Sequence, residues 1–445
     1  PAISFASYRQ PSFTALAQRP CGYGFLCALY AAYEKQHRAH DFAQEGKAMK
    51  LLYDLTATQP SPESKFHGGG AYGEVLFFKL LELSELELYC FYDGSAYINP
   101  LIVREVQQRG IPLFDIRKTS LQDIVKENGI ERAYSAMLNL NQNWPLDDVA
   151  VYTTVHGLRT LEMPTDPIML HYASSLKEKL KDLLFMTLAR KFYLRKLSAI
   201  NGRILHDDRI HVITVSRHSL ASMKAFYPEL QNRKIPVFAS PSFAQLDPSV
   251  FAMFPPEHGA LSTLGLEEKR FFLITSAARW AKNALRAVWA LDSLFSSRLA
   301  EGYKAVITGA TRTRIFKKRL QNSSRFVFLD YVERPLLDLL NRKQYAFIYP
   351  SLNEGFGYPP LEAMHYGIPV AASGTSSIPE VCGDSALYFD PYSVSEIKNR
   401  LVQLLDAEVY ALYAQKAAER YKIVSQKQKE DLDKLAAYIA ETAKE

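Results

Sequence analysis

Apolar residues recur along this chain in short blocks, separated by loops and by segments with helical spacing. The block LLYDLTA after Met49 has the composition of a buried strand, and EVLFFKLLELSEL further on has the spacing of a helix. Between them lies SPESKFHGGGAYG, which has the composition of a glycine-rich loop. We therefore predict a strand, a loop and a helix in that order.

The same alternation continues for about 170 residues. Further buried strands are predicted at 86–93, 149–157 and 210–216, and the segments between them have helical spacing. Strands that alternate with helices usually pair in parallel, so this part of the chain should form an α/β domain.

A second alternation begins after a proline-rich stretch at 234–268. Its strand candidates lie at 270–279, 303–310, 325–332, 345–351 and 368–374. From about residue 393 onward the spacing is mostly helical. We predict two doubly wound α/β domains joined by a linker and followed by a helical tail. One interpretation of the tail is that it crosses back to the first domain. The predicted bounds are 49–240 for the first domain, 241–268 for the linker, 269–420 for the second domain and 421–445 for the tail.

Residues 1–48 show no clear strand or helix period and begin with proline. The codons for QEGKA, just before Met49, could contain a purine-rich ribosome-binding sequence. We hypothesise that Met49 is the true start. The apolar run at 21–32 is short and lacks a small-residue cleavage site after it, so a signal peptide is the weaker interpretation.

Length and composition narrow the class of protein. A chain of 445 residues exceeds what one hydrophobic core usually supports, so two domains with a ligand-binding cleft are expected. The net charge of +6 is modest and spread along the chain, which does not suggest nucleic-acid binding. The four cysteines show no CxxC spacing, which favours a reduced, cytoplasmic setting, and no apolar run is long enough to span a bilayer.

The segment SLNEGFGYPPLEAMHYGIPVAASGTSSIPEV at 351–381 carries the strongest chemical signal. Glu354 and Glu362 are separated by seven residues, and Gly355 and Gly357 between them allow a tight loop whose amides can face a ligand. The two prolines that follow suit the first turn of a helix, and a helix N-terminus with free amides is an anion site.

In this segment the chain resembles glycosyltransferase family 4, whose members are retaining enzymes of the two-domain GT-B fold with an E-x7-E signature. The sequence of the segment is also similar to that of bacterial mannosyltransferases of surface polysaccharide assembly. The resemblance implies two Rossmann-like domains that face each other across a cleft. It also implies that Glu354 binds hydroxyls of the donor sugar, that the Gly355, Phe356 and Gly357 loop holds the sugar and phosphate, and that Glu362 binds the ribose. Two incidental glutamates on a surface helix are the alternative.

Arg279 and Lys282 follow a predicted strand and precede a predicted helix. Two cations at such a junction suit a diphosphate, because fixed Arg and Lys donors can stabilise a departing nucleoside diphosphate without a metal. The family has an Arg and a Lys in this place. Two solvated loop charges are the alternative.

The remaining candidates depend more on the resemblance. Gly69 and Gly70, after the first strand, correspond to a glycine-rich loop that faces the donor phosphates, and His156 corresponds to a histidine that contacts the donor sugar. Tyr331 and Val332 correspond to the position whose backbone meets the nucleobase. A G-x-G-x-x-G fingerprint is absent, which argues against a nicotinamide or flavin enzyme.

Residues 175–197 have leucines and aromatics at helical spacing and a basic opposite face. We interpret them first as a helix that covers the sheet with its basic face in water, and docking on anionic lipid is the alternative.

The function implied by the resemblance is transfer of a hexose, with mannose as one candidate, from a nucleoside-diphosphate sugar to a hydroxyl of a glycan or lipid-linked acceptor. The resemblance also implies retention and no metal or other cofactor, in the cytoplasm or at the inner membrane as a peripheral protein. Two alternatives stay open. A sugar-nucleotide epimerase would use the same donor site, and a non-catalytic subunit of a glycosyltransferase complex would keep only the fold.

Overall fold

A computed structural model describes residues 48–60, 68–241 and 259–441 of the chain. Residues 1–47, on which the hypothesis about Met49 as the start depends, lie outside the described residues. Outside them also lie His67 of the glycine-rich segment and the middle of the expected linker, at 242–258.

The first domain is built on a six-stranded parallel sheet with the strand order β3-β2-β1-β4-β5-β6. All of its neighbouring strands pair in parallel. The strands are β1 (Met49–Asp54), β2 (Leu86–Tyr92), β3 (Leu113–Asp115), β4 (Arg132–Ser135), β5 (Ala150–Val155) and β6 (Ile210–Thr214). The helices are α1 (Gly68–Leu80), α2 (Pro100–Gln108), α3 (Leu121–Asn128), α4 (Arg159–Glu162), α5 (Met169–Tyr172), α6 (Leu176–Leu184), α7 (Arg190–Leu205) and α8 (Arg217–Phe226).

The second domain repeats this architecture with the strand order β12-β11-β10-β7-β8-β9. Its strands are β7 (Phe271–Ile274), β8 (Lys304–Ile307), β9 (Phe326–Phe328), β10 (Ala346–Tyr349), β11 (Val370–Ser373) and β12 (Ala386–Phe389). Its helices are α9 (Ala260–Thr263), α10 (Ala284–Ser296), α11 (Thr313–Lys317), α12 (Arg334–Lys343), α13 (Tyr358–Met364), α14 (Ile378–Cys382), α15 (Val394–Leu404) and α16 (Ala407–Ala440). The predicted class, two doubly wound α/β domains, is confirmed.

The prediction of a loop through the glycine-rich segment is wrong after residue 67. Helix α1 begins at Gly68 and ends at Leu80, whereas we expected a helix over EVLFFKLLELSEL. The glycines therefore lie in its first turn. Their position still brings backbone close to the edge of the sheet, but on a helix N-terminus instead of a flexible loop.

The long helix α16 joins the two domains. Its last part contacts the first domain, where the Arg132 guanidinium donates to the Ile439 carbonyl at 2.6 Å and the Ala239 amide donates to Asp431 Oδ2 at 2.7 Å. A single buried apolar cluster runs through Leu76 of α1, Leu361 of α13 and Leu435 of α16. Burial of this shared surface fixes how the two sheets face each other.

A second connection crosses in the other direction. The segment after β5 places Ile168 and Tyr172 in the apolar core of the second domain. Beside them, the buried carboxylate of Asp166 accepts from the Arg286 guanidinium of α10 at 2.9 Å. Both domains thus contribute to the same core.

The expectation that residues 175–197 cover the sheet holds only at their C-terminal end, where Leu194 and Leu197 pack against a buried cluster that includes Ile210 and Val212 of β6. Helices α6 and α7, with the π turn Phe185–Ala189 between them, hold several leucines and Phe192 exposed, and no residue of α6 is buried. Among the described residues, no helix combines the length and the apolar character needed to cross a bilayer.

Candidate functional site

The carboxyl ends of strands from both sheets meet where the loop after β10 touches the loop after β5. A side-chain carbon added to Gly355 would lie 1.9 Å from the His156 carbonyl oxygen. Gly157 next to it has φ +130°, and a carbon added there would lie 3.7 Å from the Gly355 Cα. The glycines at these two positions therefore let the backbones of the two domains come into direct contact.

Glu354, one residue before this contact, forms an ion pair with Lys282. The Lys282 ammonium donates to Glu354 Oε1 at 2.5 Å, and the Ser351 hydroxyl donates to the same oxygen. The Glu354 amide donates to the Ser376 hydroxyl at 3.0 Å, which fixes the loop from the other side. Lys282 ends a short 3-10 turn, Trp280–Lys282, after β7, so the two charges come from neighbouring strands of the second sheet.

Burial and charge act against each other on this pair. Burial alone would raise the pKa of the Glu354 carboxyl, but the Lys282 charge and the hydrogen bonds to the carboxylate lower the pKa below its usual value. Burial lowers the pKa of Lys282, and the Glu354 charge opposes that shift. Glu354 is therefore a largely buried, ionised acceptor at neutral pH.

Two arginines add positive charge around Lys282. Arg279 is exposed and Arg159 comes from α4 of the first domain, and the charge of each helps to lower the pKa of Lys282. Three cations from both domains thus act on one region, which suits a polyanion such as a diphosphate. The sequence pattern indicated Arg279 and Lys282 but not Arg159; its position three residues after His156 was the only signal.

Glu362 lies in α13 and is also paired. The Arg334 guanidinium, at the start of α12, donates to Glu362 Oε1 at 2.7 Å. Burial would lower the pKa of Arg334, but the Glu362 charge raises it. The sequence pattern did not indicate Arg334. Its ion pair engages one of the two carboxylate oxygens of Glu362.

His156 is oriented by the first domain. Its Nε2–H donates to the Ala136 carbonyl at 3.0 Å, since a carbonyl can only accept. Its ring stands edge-on to the Tyr72 ring with centroids 4.9 Å apart. The side chain is thus held in place, and the backbone carbonyl of the same residue is what meets Gly355.

The other predicted residues occupy different positions around this contact. A carbon added to Gly68 would lie 3.9 Å from the Tyr358 ring, so the N-terminus of α1 faces the second domain; Gly70 is buried and Gly69 packs against Met137. Phe356 is buried with its ring 5.5 Å from that of Tyr358, and Gly357, at φ +119°, precedes α13. Tyr331 and Val332 follow β9, two strands away from β7, and 68% of the Tyr331 side chain is exposed.

A polar network holds the domains together beside the site. Glu162 of the first domain accepts from Asn353 of the second and lies 3.1 Å from His218 Nε2. The Glu380 carboxylate of the second domain accepts from the Arg217 and His218 amides at 2.9 and 3.0 Å. A carboxylate at the N-terminus of α8 is favourable both as an acceptor and through the helix dipole.

Metal ligands are not grouped in the part of the chain that the structure describes. There, no three His, Cys, Asp or Glu side chains lie close enough together to hold a metal ion.

Comparison with known proteins agrees with this architecture. Residues 262–423 match the family described as glycosyl transferases group 1. The chain is 45% identical over 78 residues to O-antigen chain mannosyltransferase B of Escherichia coli and 41% identical over 92 residues to O-antigen chain mannosyltransferase RfbU of Salmonella typhimurium. These segments cover 18% and 20% of this chain, and only 20% and 26% of the lengths of the two relatives.

Solved structures show the same fold over nearly the whole chain. WaaG, a glycosyltransferase involved in lipopolysaccharide biosynthesis, superposes with a TM-score of 0.60 at 14% identity and covers 88% of this chain and 100% of its own. Anabaena Alr3699/HepE, solved in complex with UDP and glucose, superposes with a TM-score of 0.56 at 15% identity, over 88% of this chain and 98% of its own. The chain therefore has the GT-B fold, and residues 262–423 of its second half match the glycosyl transferases group 1 family.

Proposed function

We propose that the protein is a retaining, metal-independent glycosyltransferase that moves a hexose from a nucleoside-diphosphate sugar to a hydroxyl of a glycan or lipid-linked acceptor. The buried Lys282–Glu354 pair, at the meeting point of the two domains and among the charges of Arg279 and Arg159, is the observation that carries the proposal. It combines a fixed acceptor for sugar hydroxyls with cations for a diphosphate.

In this proposal the diphosphate binds Arg279 and Lys282, with Arg159 reaching it from the first domain. The bond between the anomeric carbon and the diphosphate oxygen breaks, the acceptor oxygen bonds to the same carbon on the same face, and the acceptor proton passes to the departing diphosphate. The cations stabilise the charge that develops on that leaving group. The sugar contacts Glu354 and His156, and its phosphate side contacts Gly69, Gly70 and the Gly355–Gly357 loop. The ribose contacts Glu362. The base contacts Tyr331 and Val332.

Mannose is our choice of donor sugar, and a growing surface polysaccharide is our choice of acceptor. The curated relatives with matching segments are O-antigen chain mannosyltransferases, although those segments are a minor part of each. The support for this choice is similarity of sequence.

The test is a binding screen of nucleotide sugars, including GDP-mannose, UDP-glucose and UDP-galactose, followed by turnover of the tightest binder. We expect nucleoside diphosphate to be released at an appreciable rate only when a glycan acceptor is added. Interconversion of the donor sugar without an acceptor would identify an epimerase instead. Absence of turnover with every donor and acceptor would favour a non-catalytic subunit and overturn the proposal.

The close approach of Gly355 to His156 gives a second test. In Gly355→Ala the added methyl would overlap the His156 carbonyl, so the two loops must separate. Displacement of a reacting group by about 1 Å can cost about a hundredfold in rate, so we expect a loss of that order in kcat. Gly374→Ala is the matched control, since a carbon there would have only an ordinary contact at 3.8 Å. Equal activity of the two variants would show that the loops need not touch during turnover.

A further inference from the structure

The helix pair α6–α7 carries an apolar surface with no use in the proposed reaction. Along it, the side chains of six large apolar residues are exposed, up to 80% for Leu188 and 76% for Phe192. We call this surface the apolar stripe; its residues are Leu176, Leu180, Leu183, Leu184, Leu188 and Phe192. Exposed apolar side chains grouped in this way mark a surface that binds something.

The π turn between the helices keeps the stripe on one face. Residues four apart on an α-helix advance by about 40° beyond a full turn, so the run from Leu176 to Phe192 would drift by about 160°. The turn Phe185–Ala189 inserts about one extra residue, which rotates the following side chains back by about 100°. Leu188 and Phe192 thereby return to the face of Leu176 and Leu180.

Positive charges surround the stripe. Eight lysines and arginines on the two helices are exposed, whereas the two acidic residues, Glu178 and Asp182, are half-buried, and Glu178 accepts from Ser174. The basic residues are Lys177, Lys179, Lys181, Arg190, Lys191, Arg195, Lys196 and Arg203. An apolar face flanked by cations is complementary to a surface with negative charge outside and apolar chains beneath, which is an anionic lipid bilayer.

An open groove of about 940 Å³ lies along the C-terminal part of α7. Arg195 and Arg203 line it together with Phe226, which is itself partly exposed. Asp207 and Glu229 also line it, so the groove carries both signs of charge, unlike the predominantly basic surroundings of the stripe.

We propose that the apolar stripe and its flanking cations dock the first domain on the surface of an anionic membrane, with the helix pair lying in the plane of the lipid headgroups. The leucines and Phe192 enter the boundary of the acyl chains, and the lysines and arginines contact the phosphates. This surface is separate from the Lys282–Glu354 site, so the inference stands whether or not the proposed transfer reaction is correct.

Binding of the full chain to vesicles tests the proposal. We compare vesicles of phosphatidylcholine with and without phosphatidylglycerol, using the unmodified protein, Leu188→Glu/Phe192→Glu and Lys191→Glu/Arg195→Glu. We expect the unmodified protein to bind only when phosphatidylglycerol is present and to be released by salt. Each double variant should weaken binding about tenfold or more.

Leu299→Glu/Ile423→Glu is the matched control, since both residues are exposed apolar side chains outside the stripe. It should bind like the unmodified protein. Absence of vesicle binding by the full chain, or equal loss in the control, would overturn the proposal. A shift from dimer to monomer in Leu188→Glu/Phe192→Glu, with vesicle binding unchanged, would assign the stripe to a second copy of the chain instead.

Discussion

Glu354→Gln should lower kcat by about tenfold or more and leave the affinity for nucleoside diphosphate nearly unchanged. In the proposed reaction the ionised carboxylate accepts from sugar hydroxyls and opposes the positive charge that develops at the anomeric carbon, so it contributes more in the transition state than in the ground state. The amide keeps the shape and loses the charge. A hydrogen bond to a charged group is worth about 1.5–3 kcal/mol, which corresponds to the expected loss in rate.

Glu362→Gln is the companion measurement and should show the opposite profile. Its carboxylate is already held by Arg334, and its proposed partner is the ribose, so the variant should weaken nucleotide binding and change kcat less. Titration calorimetry with the diphosphate and steady-state rates for both variants separate the two effects. Identical profiles, or full turnover in Glu354→Gln, would show that the two carboxylates do not have these separate roles in turnover and in nucleotide binding.

The sequence pattern identified the strands that lie in predominantly apolar blocks of the sequence. Strands β2, β5 and β6 lie within the predicted segments, and so do all five predicted strands of the second domain. Strands β3, β4 and β12 were not predicted. All residues of β3 are only partly buried, and β4 begins with Arg132, whose charge hides the strand in a hydrophobicity pattern although α16 accepts its hydrogen bond.

The sequence pattern indicated only some of the charged residues of the site. Glu354, Lys282 and Arg279 stand at ends of predicted strands, so their common edge of the sheet follows from the topology. Arg159 and Arg334 also lie two residues after predicted strands, at 149–157 and 325–332, but no motif singled them out. Their charge partners lie in segments distant in the chain. The exposed stripe on α6 and α7 has the spacing of a buried face, and spacing alone does not tell which surface a helix face contacts.

Lys282→Ala should weaken nucleoside-diphosphate binding by about tenfold to a hundredfold and leave binding of the bare nucleoside unchanged. Only the charge-assisted bonds to phosphate are removed, and each is worth about 1.5–3 kcal/mol. Arg279→Ala should weaken the same binding less, because Arg279 is exposed and better screened by solvent. Equal loss for diphosphate and nucleoside would indicate damage to the fold instead.

The contribution of Glu354 to stability should change with pH in opposite directions in Lys282→Ala and in the unmodified protein. In the unmodified protein the pKa of Glu354 is held below its unfolded value of about 4.3, so its contribution is present above that pH and disappears as pH falls through the folded pKa. Without Lys282, burial is left to raise the pKa of Glu354 above the unfolded value. The stability deficit of Lys282→Ala should then grow as pH rises from about 4.3 toward neutrality, measured as free energy of unfolding in denaturant.

Lys282→Ala/Glu354→Gln decides whether that deficit comes from the unpaired carboxylate. Removing one partner of a buried ion pair costs about 3–5 kcal/mol, largely because the other charge stays buried without compensation. Neutralising Glu354 as well should therefore restore most of the free energy of unfolding at neutral pH and flatten its pH dependence, while diphosphate binding stays weak. A double variant as unstable as Lys282→Ala would mean that the cost lies in the lost packing of the lysine stem against Tyr349, over whose ring its ammonium lies at 5.6 Å.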